Sequence, residues 1–319
     1  MPSSPTLDAA VALSHWGVIR AVGSDAATFL HGQLTQDVAH LDASQARLAG
    51  YCSPKGRLLA SFVIWSPQPG EVLLACHESV LPATLKRLSM FVMRAQCRLS
   101  DASAEISLVG VMGQGARDAT SAMGDWARRN DADGVEWIRL PDVHGVARAW
   151  QVGKGSDATT LPALQSKGAL DAWKCLEVDS GVAIIETSTV DAFVPQMLNF
   201  ELIGAVNFQK GCYPGQEVVA RSQYRGTVKR RTFLFTCAEP LCAGDEVFHS
   251  ADASQPAGLV VAAAQGAADP SYRALVEVKL TAMQSGSLHV GAAGGPRLVQ
   301  RALPYEVPVA EESGLDSVA

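Results

Sequence analysis

The chain is short of charge, of aromatic residues and of paired cysteines. Of its 319 residues 18% are charged and 6% aromatic, against 48% hydrophobic. Sparse charge beside abundant apolar residues excludes a disordered chain and predicts a large core. The net charge of −6 argues against binding nucleic acid mainly through phosphates, so any such contact has to be local. So few aromatic residues do not make a base-stacking platform. The seven cysteines, Cys52, Cys76, Cys97, Cys175, Cys212, Cys237 and Cys242, form no CxxC pair. Their odd count argues against a disulfide framework, and their spacing against a zinc ribbon. A reducing compartment fits this usage. No cation precedes Arg20, so the opening lacks the charged start of a signal peptide. The longest apolar runs, such as residues 259–264, fall far short of the ~20 residues that span a bilayer. These absences predict a soluble, cytoplasmic protein with no membrane partner.

The length accommodates two domains or three. Strands are expected over 17–22, 57–65, 71–76, 106–112, 134–140 and 147–152. Gly23-Ser24-Asp25 reads as a turn and helix N-cap, and further helices are expected over 80–93, 116–129 and 161–174. Gly113-Gln114-Gly115 resembles a dinucleotide-binding turn, but Asp118 holds the third glycine position, so it reads as an ordinary strand–turn–helix. This order predicts α+β layers over residues 1–231, in two intertwined subdomains, the second centred on about 106–175. After Arg231 six short strand candidates alternate with turns such as Gly244-Asp245, Asp269-Pro270 and Gly294-Gly295-Pro296. That spacing predicts a small antiparallel β-barrel over 232–319.

Residues 210–230 read KGCYPGQEVVARSQYRGTVKR, more chemistry than a fold needs. Cys212 lies between Gly211 and Tyr213, close to Lys210, and local positive charge is what turns a thiol into a nucleophile. We therefore expect a partly exposed, reactive Cys212. Gly211 and Gly215 give a backbone that turns sharply and approaches a ligand closely. Glu217 is the only acid of the stretch, and its expected task is a structural ion pair. Arg221, Arg225 and Lys229 recur every four residues, which on a helix makes a basic face. That face is either solvated or a seat for a carboxylate tail, an acidic protein or a transfer RNA. A single cysteine does not hold an iron–sulfur cluster, and no metal site is expected.

Lys-Gly-Cys-Tyr-x-Gly-Gln-Glu (210–217), followed by Ala220-Arg221, Arg225-Gly226 and Lys229-Arg230, resembles the signature of the YgfZ family, folate-binding relatives of the glycine cleavage T-protein. Phe193-Val194-Pro195-Gln196, Asn199 and Phe208 precede it as in the family. Trp16, Gly23, Asp25, Phe29, Gly32-Gln33, Thr35 and Asp37-Val38 look like the family's opening, and residues 52–57 like its Lys-Gly turn. The resemblance covers most of residues 15–231 and, more loosely, the C-terminal barrel. It implies a ring-like arrangement of aminomethyltransferase-like domains with a tetrahydrofolate or other folate derivative in the central opening. It implies support for the assembly or repair of iron–sulfur enzymes, including those of tRNA modification, with iron–sulfur client proteins as partners and an indirect tRNA link.

On this resemblance Trp16 and Trp173 match the family's folate-contacting tryptophans. Asp179 aligns through Gly181 with the T-protein glutamate that holds the pterin, and Glu177 competes with it for that task. Gly211, Tyr213, Gly215, Gln216, Glu217, Arg221 and Arg225 form the motif wall of the expected pocket, with Cys212 and Lys210 as its reactive pair. T-proteins also need an acid in a Gly-x-x-Asp-Asp pattern, whereas residues 56–70 carry no carboxylate. Two readings stay open: an accessory protein whose working group is Cys212, and a folate-dependent aminomethyl or other one-carbon transferase with a different acid.

Overall fold

Runs of valine, leucine, isoleucine and alanine, broken by glycine and proline, build three antiparallel sheets. The computed structural model describes residues 8–132, 134–155, 168–224, 228–266 and 271–308. Strands β1 (Ala9–Ala12) and β2 (Trp16–Val22) are consecutive yet enter different sheets. Next come α1 (Ala26–His31), β3 (Ala46–Cys52), β4 (Leu58–Gln68), β5 (Glu71–His77), α2 (Leu81–Val92) and β6 (Arg98–Asp101). The first sheet has the order β3-β4-β5-β2-β6. It is followed by β7 (Ile106–Met112), α3 (Gln114–Ala119), β8 (Arg128–Asn130), β9 (Glu136–Val143) and β10 (Val146–Lys154). These strands and β1 form the second sheet, β1-β7-β10-β9-β8. Between β9 and β10 the chain turns through His144 (φ 51°) and Gly145 (φ 76°), two left-handed residues that suit a tight hairpin.

Helices α4 (Ala169–Asp179) and α5 (Gln216–Tyr224) precede β11 (Arg230–Cys237), β12 (Glu246–His249), β13 (Gly258–Gln265), β14 (Tyr272–Lys279), β15 (Leu288–Val290) and β16 (Val299–Arg301). This third sheet has the order β15-β12-β13-β14-β11-β16. It closes through one segment. Residues 296 and 298 exchange backbone hydrogen bonds with Val290 and Leu288, and β16 then pairs with β11. Because side chains alternate along a strand, Phe235, Val260 and Val276 fill the barrel while Leu234, Val261 and Leu275 face outward. The outward set joins a core that runs through α4 into the first two sheets. Helix α4 packs on β13 and β14 on one side and β1 on the other.

Several expectations are corrected. The helix expected over 116–129 stops at Ala119, where Thr120 Oγ1 donates to Ala116 O, and Ala122 and Trp126 take positive φ. Residues 128–130 instead form a strand. Asp25 holds the N-cap position of α1 as expected, but its side chain makes no cap bond, because its carboxylate accepts the Gln96 N–H. The expected helix over 161–174 lies partly outside the described residues, and α4 continues to Asp179. The basic stripe does not run along α5. Arg225 lies outside the described residues, and Lys229 already belongs to the extended approach to β11, its carbonyl accepting from Leu280.

Gln196 and Asn199, which the resemblance places ahead of the 210–217 signature, tie their segment to α5 and β11. Gln196 Nε2 donates to Val219 O at 2.7 Å and Asn199 Nδ2 to Thr232 O at 2.8 Å. Arg231 donates to Gln196 O and pairs with Glu201, both side chains nearly fully buried. Removing one partner of a buried ion pair strands the other charge, at a cost of about 3–5 kcal/mol. Arg231→Met is therefore expected to lower the urea unfolding free energy by that amount. An unchanged midpoint would mean that this pair is not holding β11 to the core.

Candidate functional site

Where the two α+β sheets face each other, a narrow cavity opens in front of α4, with about 40 Å³ of space open to water. Phe62 and Val63 of β4 and Leu48 of β3 line one side, and Trp126, Leu140 and Trp150 the other. Few polar groups in an apolar pocket is the usual design of a small-molecule site. Its polar lining is Glu177 with Arg148, Ser61 and Ser180, and Glu177 is its carboxylate. Trp173 and Glu177 are four residues apart on α4, hence on one face. The buried Glu177 carboxylate accepts from Trp16 Nε1 at 2.9 Å, Trp173 Nε1 at 2.7 Å and His15 Nε2 at 2.7 Å. Arg148 lies beside it, fully enclosed, donating to Leu176 O and Pro141 O. Burial pulls the Arg148 guanidinium below its ordinary range, and Glu177 works against that pull.

The two tryptophans differ. Trp16 is half-buried, lines the cavity and meets Trp150 edge-on at 4.9 Å between ring centroids. Trp173 is fully buried, and a Cβ placed on Gly110 would meet its ring at 2.7 Å, so its face lies on the β7 backbone. Trp173 thus acts as packing and as a donor to Glu177. Asp179 is not among the cavity-lining residues. His144 Nε2 approaches its Oδ2 at 3.2 Å and Arg273 Nε lies 3.7 Å away, while Oδ1 has no hydrogen-bond partner among the described residues. Burial pushes its carboxyl up, and His144 and then Arg273 hold it back. Sequence reasoning missed His15, Trp126, Arg148 and Trp150. Arg148 and Trp150 did leave a signal: two large polar-tipped residues alternating with Ala147 and Ala149 on a strand.

The 210–217 loop is elsewhere, and none of its residues lines this cavity. Gly215 (φ 80°) lies on the Ser53–Gly56 turn, and a Cβ on it would meet Gly56 Cα at 2.6 Å. Gly56 (φ 71°) returns the contact, since its Cβ would meet Val218 Cβ at 2.8 Å. The glycines therefore serve a backbone-to-backbone contact between two turns. Tyr213 is buried, and Lys210 Nζ lies 4.8 Å from its ring centroid while donating to His31 O and Leu34 O. Gln216 opens α5 and donates its N–H to Tyr213 O at 3.2 Å. Glu217 pairs with Arg221 at 2.8 Å on the exposed face of α5. Gly211 packs against the His31 ring, with 3.4 Å between a built Cβ and Nε2. Cys212 is exposed beside it. Among the described residues no group of three or more His, Cys, Asp or Glu side chains could hold a metal ion, and no helix is long and apolar enough to cross a membrane.

No protein-family model matches the chain. The "tRNA-modifying protein YgfZ" of Edwardsiella ictaluri (strain 93-146) is 31% identical over 265 residues, 79% of this chain and 78% of the relative. The chain belongs to the YgfZ family. The YgfZ protein of Enterobacter sp. (strain 638) is 32% identical over 69% of each chain, and that of Sodalis glossinidius (strain morsitans) 26% identical over 96% of each. Among solved structures, the glycine cleavage system aminomethyltransferase T from Bartonella henselae superposes with a TM-score of 0.68 at 14% identity, over 92% of this chain and 84% of that one. The YgfZ chain therefore has the aminomethyltransferase fold, curled C-terminal sheet included.

Two measurements check this geometry. Burial pushes the Cys52 and Cys76 thiols up to about 12, so iodoacetamide on the native chain should label Cys212 and Cys242 and spare these two, as read by peptide mass spectrometry. Labelling of Cys52 before Cys212 would contradict the described burial. Burial also lowers the Lys210 ammonium from 10.5 to about 8. Between those values the unfolded chain binds more protons than the folded one, so this lysine makes stability rise with pH there. The difference in unfolding free energy between wild type and Lys210→Met should grow across that window; parallel pH curves would contradict it.

Proposed function

We propose that this YgfZ-family chain is a folate-binding accessory protein for the assembly or repair of iron–sulfur enzymes, those of tRNA modification among them. The observation that carries the folate half is the cavity itself: an apolar cleft walled by tryptophan with one buried carboxylate in its lining, in a chain with the aminomethyltransferase fold. The lining suits a pterin. Trp16 offers a flat face, Phe62, Val63 and Leu140 enclose the rest, and Glu177 is the acceptor within the cavity. The Trp150 indole N–H is buried without a partner among the described residues. An orphan donor of that kind is costly, and a carbonyl or ring nitrogen of the ligand would satisfy it. Tetrahydrofolate supplies a carrier for one-carbon units.

What the chain's own residues do there is bind, orient and exclude water. His15, Trp16 and Trp173 hold the Glu177 carboxylate in place with three hydrogen bonds. The strand that lines the cavity contributes Ser61, Phe62 and Val63 and no carboxylate. A cation developing on the ligand would find no acid on β4 to stabilise it, which favours the accessory reading over aminomethyl transfer. Cys212, the reactive thiol of this reading, is exposed and does not line the cavity, so folate and thiol occupy separate places. The tRNA-related names of the relatives fit a role exercised through the enzymes it supports.

Isothermal titration with tetrahydrofolate tests this. Trp16→Leu should weaken binding at least tenfold, about 1.4 kcal/mol. Cys212→Ala should bind like wild type and yet fail to support iron–sulfur enzymes in cells. Unchanged affinity in Trp16→Leu would overturn the cavity assignment, and turnover of an aminomethylated donor would restore the transferase reading.

A further inference from the structure

Eight large hydrophobic side chains of the described residues are exposed, and four of them, Val22, Met90, Phe91 and Met93, share one corner. Three lie at the end of α2. The fourth is brought there by the first sheet, where Arg98 of β6 pairs with Val22 of β2 and Gln96 O accepts the Asp25 N–H. Met93, the most exposed at 85%, has φ 46°, a backbone region that residues other than glycine seldom occupy. The chain thus ends α2 in a conformation that presents this side chain to solvent.

The charge along α2 and the segment that follows it is of one sign; Glu71, opposite Val22 in the sheet, is paired with Arg20. Residues 79–100 contain Lys86, Arg87, Arg94 and Arg98 and no carboxylate, in a chain whose net charge is −6. Asp25, which borders the patch, has one oxygen engaged by the Gln96 N–H at 2.7 Å. The Arg87 guanidinium lies 5.6 Å from the Phe91 ring centroid, so one face of the aromatic is already covered.

We propose that this corner docks an acidic, amphipathic segment of a partner protein. Apolar side chains of the partner would pack on Met90, Phe91 and Met93, and its carboxylates would meet the surrounding cations. Arginine favours bidentate pairing with carboxylates, and methionine adapts to partners of different shape. RNA fits less well, because two exposed methionines have no task against phosphates and the one aromatic has a face covered. A membrane surface fits less well, because α2 turns Leu81, Thr84 and Leu88 into the protein core and leaves only its last turn apolar outside. The proposal takes from the accessory reading only that partner proteins exist.

The test uses the full chain and a fluorescein-labelled helical peptide with leucine on one face and glutamate on the other, read by anisotropy. The glutamate peptide should bind at least tenfold more tightly than its lysine counterpart. Met90→Glu with Met93→Glu, and separately Arg94→Glu, should each weaken it at least tenfold with far-UV circular dichroism unchanged. Trp16→Leu, which disables the folate reading, should bind the peptide like wild type, so the two proposals fail separately. The proposal is overturned if the glutamate peptide does not bind or binds all variants equally. It is also overturned if bulk tRNA or phosphatidylglycerol vesicles, and not the peptide, lose binding in these variants, or if wild type sediments as a dimer that Met93→Glu splits.

Discussion

Three N–H groups converge on the carboxylate of Glu177, and the relation between the two α+β sheets and α4 depends on that convergence. His15 and Trp16 come from the start of β2, and Trp173 from α4 itself. A buried carboxylate is costly unless its lone pairs are met by donors, so the three bonds fix helix and sheet against each other. Arg148 adds β10 to the same assembly from the other sheet. Glu177 is thus at once the support of the architecture and the carboxylate of the site.

The signature loop has a different physical basis. Gly56 and Gly215 leave no room for a side chain between their turns, and Lys210 ties the loop to the carbonyls that follow α1. These residues position Cys212 without enclosing it. None of these residues lines the cavity, and Cys212 is exposed.

The sequence announced the barrel well, because each of its short strands is bounded by glycine, proline or aspartate. It also placed α2 within a residue at each end. It concealed β3, whose Ala46–Cys52 run of small and buried residues lacks the alternation of a half-exposed strand. It misled over 116–129, where apolar spacing of a helical period continues past Ala119 although the backbone leaves the helix and takes positive φ at Ala122 and Trp126. For the site, Trp16, Trp173 and Glu177 were all singled out, and Trp173 and Glu177 share a helix face, but the bond from Trp16 to Glu177 joins residues 161 positions apart, which no local pattern encodes. The division of labour between Trp16, facing the cavity, and Trp173, lying on Gly110, is set by the bare backbone of β7 and not by either tryptophan's neighbours in sequence. Asp179 matched by alignment, yet the hairpin turn at His144 places an imidazole against it.

The most direct measurement of the central claim is a crystal structure of the chain soaked with tetrahydrofolate. The account predicts the pterin in the cavity between the two α+β sheets, with its ring against Trp16 and a polar edge toward Glu177, and with Cys212 outside contact distance. A pterin bound against Cys212 and the 210–217 loop, with the cavity in front of Glu177 left unchanged, would contradict it.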